Sequence, residues 1–114
     1  MARKRRRLSD EAAATLRLFL DDPKREWFGL EIIRTAGIRS GSLYPILHRL
    51  DGQGVLTARW EPLDVATAAG RRPRRQYRLH PGGARRAQAL YDEWAAVQEQ
   101  PRPAPPRPRT APAT

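Results

Sequence analysis

The residues best equipped for chemistry lie in one run, Ser40-Gly41-Ser42-Leu43-Tyr44-Pro45-Ile46-Leu47-His48-Arg49-Leu50. On a helix turning about 100° per residue, Leu43, Ile46, Leu47 and Leu50 share one face. Tyr44, Pro45, His48 and Arg49 take the other. That face carries a phenol, an imidazole and a guanidinium. An arginine fork matches the two acceptors on the major-groove edge of guanine, and the other two groups donate and accept hydrogen bonds. Ser40 and Ser42, near the helix start with its free N–H groups, suit phosphate oxygens, as does Arg39 in the preceding turn. Each residue also has a plainer role. Ser40 or Ser42 can be only a cap, Tyr44 can pack partly on neighbouring strands, and His48 can be a solvated surface residue.

Charge points the same way. The 114-residue chain carries a net charge of +10. Arg3, Lys4, Arg5, Arg6 and Arg7 form one cluster, and Arg71, Arg72, Arg74, Arg75 and Arg78 another. Local basic clusters fit a polyanion, most simply double-stranded DNA. The chain has no cysteine, which excludes disulfides and thiolate-bound zinc, and its two histidines are far apart. It contains no nucleophile elbow, phosphate loop or metal-ligand cluster. No enzyme activity, metal or cofactor is therefore expected. No apolar run is long enough to span a membrane, and no apolar segment follows the basic start as in a secretory signal. The expected location is the cytoplasm.

Elements must position the reading face. Ser9 is a plausible N-cap with Asp10 and Glu11 in the first turn, which predicts a helix from about Asp10 to Leu20, ended by Pro23. A second helix is predicted from Trp27 to Ala36, with Leu30, Ile33 and either Ala36 or Ile32 inward; Gly29 within it suits close approach of another helix. Gly37-Ile38-Arg39 is a three-residue turn before the third helix, so the spacing is that of a helix-turn-helix. If Ser40 caps this helix, Pro45 is its fifth residue; if Ser42 does, its third. Gly52 or Gly54 ends it.

Val55–Trp60 and Arg75–Leu79 read as strands. Leu56 and Trp60 share a face, as do Tyr77 and Leu79. A polar loop, Glu61 to Arg74, joins them with a basic tip. After Pro81-Gly82-Gly83, read as a hinge, a last helix runs from about Ala84 to Gln98, with Ala87, Leu90, Trp94 and Val97 along one seam. That seam either folds back on its own domain or pairs with a second copy. The fold class is mainly α with a small β-hairpin, a winged helix-turn-helix with a C-terminal dimerisation helix. Its expected divisions are a basic arm (1–7), the winged domain (8–80), the dimerisation helix (81–100) and a disordered Pro/Arg-rich tail (101–114).

Several segments together resemble the PadR family of bacterial transcription regulators. They are Trp27-Phe28-Gly29-Leu30-Glu31-Ile32, the Ser40–Leu50 run, Gly54-Val55-Leu56, Trp60-Glu61, and Arg72-Pro73-Arg74-Arg75-Gln76-Tyr77-Arg78-Leu79. The resemblance implies a nucleoid-associated DNA-binding repressor, held as a homodimer by its C-terminal helix and relieved by a small molecule. Three departures stand out: Leu30 where the family often has Tyr, Asp51-Gly52 at the end of the third helix, and a short last helix. In this reading Arg39, Ser40, Ser42, Tyr44, Pro45, His48 and Arg49 meet the major groove. Arg71, Arg72, Arg74 and Arg75 form the wing contact, and the arm tracks a second groove. Trp94 is placed to stack on an aromatic effector. A sequence-independent architectural protein is the alternative.

Overall fold

The computed structural model describes residues 8–99. The arm Arg3–Arg7 and the tail 101–114 lie outside the described residues. Helix α1 spans Asp10–Asp21; the Ser9 hydroxyl accepts the Ala12 amide at 3.0 Å, so the cap read from sequence forms. It buries Ala12, Ala13, Leu16 and Phe19, and also Thr15, whose hydroxyl donates to the Glu11 carbonyl at 2.9 Å.

The next element differs from expectation. Trp27–Phe28 is a short strand, β1, and helix α2 covers only Gly29–Ala36. Trp27 and Phe28 pair with Tyr77 and Gln76, and the Glu31 carboxylate accepts the Phe28 amide at 2.9 Å, closing the helix start two residues late. Strand pairing outweighs one further helical turn here, because a tryptophan and a phenylalanine fit a half-buried sheet edge well. Leu30, expected inward, is 49 % exposed, and Ile32 is fully buried. The two sit about 200° apart around the helix and cannot share a face.

Gly37 ends α2 in the left-handed conformation at φ 69°, which a glycine adopts without strain. After buried Ile38 the chain enters α3, Ser40–Gly52. Arg39, not either serine, occupies the cap position, and its carbonyl accepts the Ser42 and Leu43 amides at 3.0 Å. Pro45 therefore falls at the sixth helical position. The Gly41 carbonyl loses its usual donor but faces solvent, where water can replace it. Leu43, Ile46, Leu47 and Leu50 are buried as their spacing requires.

Strands β2 (Leu56–Trp60) and β3 (Arg75–Leu79) join β1 in an antiparallel sheet of order β1-β3-β2, so the hairpin gains a third strand. Leu56 pairs with Leu79 and Ala58 with Tyr77 over the core. Trp60 shares the Leu56 side by alternation, yet it is 62 % exposed because the strand runs past the core. The predicted loop contains a short helix, α4 (Leu63–Ala68), that starts after Pro62 and buries Ala66.

Helix α5, Ala84–Glu99, packs on α1. Ala87 is fully buried, and Leu90 and Tyr91 pack against the same core. At its first two positions the seam follows one of the two alternatives read from sequence: Ala87 and Leu90 fold back on their own domain. Gly83 is not a hinge. A Cβ there would lie 2.6 Å from the Val55 carbonyl oxygen, so the chain needs a glycine to pass β2 this closely.

Candidate nucleic-acid interface

The exposed side of α3 is not a single row. Leu43, Ile46, Leu47 and Leu50 fix the buried direction, which sets Gly41, Pro45 and His48 farthest from the core at about 100° per residue. All three are exposed. Tyr44 lies on one flank, beside a cleft of about 230 Å³ lined by Phe28, Gly29, Leu30, Arg74, Arg75 and Tyr77. Arg49 lies on the other flank and borders a cavity of about 70 Å³ with Leu8, Ala12, Leu50, Gln53 and Leu90. The two side chains read from sequence as neighbours thus point to opposite edges of the helix. Arg39 and Ser40 are exposed and Ser42 is half-buried, around the start of α3.

The four wing arginines divide. Arg71 grips the Glu61 carboxylate with both guanidinium nitrogens; its Nη2 lies 2.8 Å from Oε2 and its Nη1 contacts Oε1. Arg74 Nη2 reaches the same carboxylate at 3.5 Å, and its guanidinium stacks 3.6 Å from the Phe28 ring centre. Glu61 is buried, with 4 % of its surface exposed. The Arg71 hydrogen bonds hold its carboxyl down at about pH 2, against the opposing effect of burial, and Arg74 adds to the lowering. Arg72 and Arg75 remain exposed; Arg75 sits 5.4 Å over the Trp60 ring. The four arginines expected to form the wing contact are not equivalent: Arg71 and Arg74 pair with Glu61, while Arg72 and Arg75 are exposed. The sequence reading gave no role to Glu61 or Phe28, whereas the close approach expected at Gly29 is there, made by Tyr44 of α3. Trp60-Glu61 was visible as a motif, but nothing in the pattern marks a loop glutamate as buried.

Residues of α1, α2 and α5 line a largely apolar open groove of about 540 Å³, formed by Ala13, Ala14, Leu18, Ala36, Tyr91 and Trp94, with Asp10 and Arg17 at its polar side. Trp94 Nε1 donates to Asp10 Oδ1 at 3.0 Å, and the Tyr91 and Trp94 rings lie 5.5 Å apart. Trp94 and Val97 are half-buried. Among the described residues no cluster of His, Asp or Glu could hold a metal, and no helix is long and apolar enough to cross a membrane.

A helix-turn-helix beside a three-stranded antiparallel sheet with an arginine-bearing loop defines a winged-helix protein. The chain belongs to the PadR-like family of transcriptional regulators, which its residues 23–89 match. It is accordingly a DNA-binding regulator. Solved structures share its fold. A PadR family transcription regulator from Clostridium difficile has a TM-score of 0.61 at 15 % identity, over 79 % of this chain and 92 % of that one. A PadR family transcriptional regulator from Eggerthella lenta has a TM-score of 0.57 at 22 % identity, over 77 % and 78 %. Bordetella bronchiseptica BpsR, described with regulation of its DNA binding by 6-hydroxynicotinic acid, has a TM-score of 0.55 at 19 % identity, over 82 % of this chain and 61 % of BpsR. No curated protein matches the chain.

Proposed function

We propose that the protein is a dimeric, sequence-specific repressor that binds an inverted-repeat operator and acts in the cytoplasm at the nucleoid. One observation carries the reading: the solvent side of α3 presents Gly41, Pro45 and His48 between Tyr44 and Arg49, with exposed Arg72 and Arg75 on the adjoining wing. The small residues Gly41 and Pro45 let the helix approach base edges. His48 and Arg49 read them, Arg39, Ser40, Ser42 and Tyr44 hold phosphates, and the wing crosses the backbone. The arm Arg3–Arg7 adds a sequence-independent attraction. Bound at a promoter, such a protein represses by occlusion, a binding rather than a catalytic act.

Residues 8–80 act as the DNA-binding unit and 81–100 as the dimerisation helix, through Trp94, Val97 and the groove that Trp94 borders. Two recognition helices in a two-fold dimer then lie about 34 Å apart, one turn of DNA. The same groove suits a small aromatic effector stacked on Trp94. What supports this is its apolar wall of about 540 Å³ together with the effector named for BpsR.

The test is the ratio of affinities for operator and random duplex. A repressor gives at least ~10³. A ratio near one favours a sequence-independent architectural protein, a reading that the net charge of +10 also fits.

A further inference from the structure

An acid inside an arginine-rich wing is unexpected if the wing's task is to meet phosphates. A carboxylate repels the backbone and cancels a cation. Glu61 nevertheless stands at the mouth of the wing, with only 3 % of its side chain exposed. Burial of a carboxylate is costly unless it is paired, and both its oxygens are taken by Arg71 and Arg74. Its own amide donates to the Arg74 carbonyl at 2.7 Å, which closes the 61–74 loop at the base. Arg71 is fixed again through its amide, which donates to the Ala66 carbonyl of α4 at 3.1 Å. Arg74 is clamped from the far side by the Phe28 ring. Glu61 therefore ties together the end of β2, the turn after α4, the start of β3 and β1.

We propose that Glu61 is a positioning residue for DNA binding: it holds Arg71 and Arg74 inside the wing so that Arg72 and Arg75 are presented outward in a fixed geometry. The proposal rests on the DNA-binding reading above. Its physical content is preorganisation. A 14-residue segment carrying three arginines, with Arg75 next to it at the start of β3, loses conformational freedom when it docks, and ordering it beforehand lowers that loss. Arg72 lies between the anchored Arg71 and Pro73, so its backbone has little freedom left. Arg71 and Arg74 together with Glu61 leave one net positive charge at the wing's base, and the outward cations are the ones that reach phosphate.

A charge count and this latch predict opposite signs. By charge alone, Glu61→Gln removes a repulsive group and tightens DNA binding, while Arg71→Ala weakens it. Under the latch both variants weaken binding. The experiment is fluorescence anisotropy of the full chain on operator and random duplexes from about 50 to 200 mM salt, where the slope counts phosphate contacts. Glu61→Gln is expected to weaken both duplexes about three- to tenfold, the cost of ordering one or two long side chains. Arg71→Ala weakens binding with the salt slope unchanged, whereas Arg72→Ala and Arg75→Ala each lower the slope by about one. The double variant Glu61→Gln/Arg71→Ala binds no more weakly than Glu61→Gln alone.

A folded Glu61→Gln protein that binds as tightly as the unaltered chain, or more tightly, overturns the latch. So does an Arg71→Ala slope reduced by about one, since Arg71 would then be a phosphate contact. The Arg71 arm decides the matter even if Glu61→Gln does not fold. Failure of the unaltered chain to bind either duplex overturns the DNA reading itself and the latch with it.

Discussion

Tyr44 of the recognition helix lies against Gly29 at the start of α2, so closely that a Cβ on Gly29 would sit 2.8 Å from the Tyr44 hydroxyl and 2.9 Å from its Cε1. The ring is half exposed, 49 %, yet one side of it is set by this contact. The β1–α2 junction thus determines where the phenol proposed to meet DNA stands.

Gly29→Ala separates stability from binding. Gly29 opens a helix at negative φ, where alanine is at ease, and the atoms it would strike are the far end of a movable side chain. Thermal unfolding should stay within about 1 kcal/mol of the unaltered protein. DNA affinity should fall because the ring is displaced, and the fall should vanish in a Tyr44→Ala background. A full additional loss there would uncouple the two residues.

Gly83→Ala is the opposite case. Its Cβ would meet backbone, 2.6 Å from the Val55 oxygen and 2.9 Å from the Gly54 oxygen, and neither atom can swing away. A loss of about 1–3 kcal/mol is expected, as for overpacking elsewhere. In a domain of this size that is roughly 4–8 °C of melting temperature per kcal/mol. An unchanged melting temperature would show that α5 can shift off β2.

How much of this was legible beforehand follows the physics of each element. The core face of α3 and the Ser9 cap rest on local spacing and local hydrogen bonds, and both were readable. Strand β1 was not, because Trp27 and Phe28 take their conformation from Tyr77 and Gln76, some fifty residues away. The start of α3 was misjudged for a similar reason: buried Ile38 sets the turn, and the serines that looked like caps fall inside the helix. The wing arginines were recognised as a group, but their division depends on Glu61, and burial of a loop glutamate leaves no periodic trace. The split of Tyr44 and Arg49 to opposite flanks was implicit in the helical wheel. It became meaningful only when Gly29 and Leu90 supplied the neighbours.

Acid should act on the wing through Glu61. Its folded carboxyl titrates at about 2, below the ordinary 4.5, so the ionised form is the one the fold favours. Its stabilisation is complete above the ordinary value and disappears as pH falls from about 4.5 through about 2. The difference in melting temperature between the unaltered chain and Glu61→Gln should therefore be constant above about pH 6 and shrink steadily below 4.5. A difference that does not vary from neutral pH to pH 3 would mean that the ion pair contributes nothing.

Trp94→Ala should move the protein from dimer toward monomer while leaving the winged domain folded, because the side chain's contacts, an exposed hydrogen bond to Asp10 and the Tyr91 ring, lie at an open groove outside the main core. Light scattering gives the mass directly. A dimer mass unaltered over micromolar dilution would exclude this seam.

Arg49→Ala should weaken operator binding by about 1–3 kcal/mol and relax sequence preference at one position per half-site. Equal losses on operator and random duplex would make Arg49 a phosphate contact instead.

The central claim is sequence-specific reading by α3 in a two-fold dimer. Its most direct test is selection of bound duplexes from genomic and random pools at about 150 mM salt, where phosphate attraction alone is weakened. The account predicts recovery of one inverted repeat with half-site centres about one helical turn apart. Recovery of no common motif, with binding that follows only charge density and length, would contradict it.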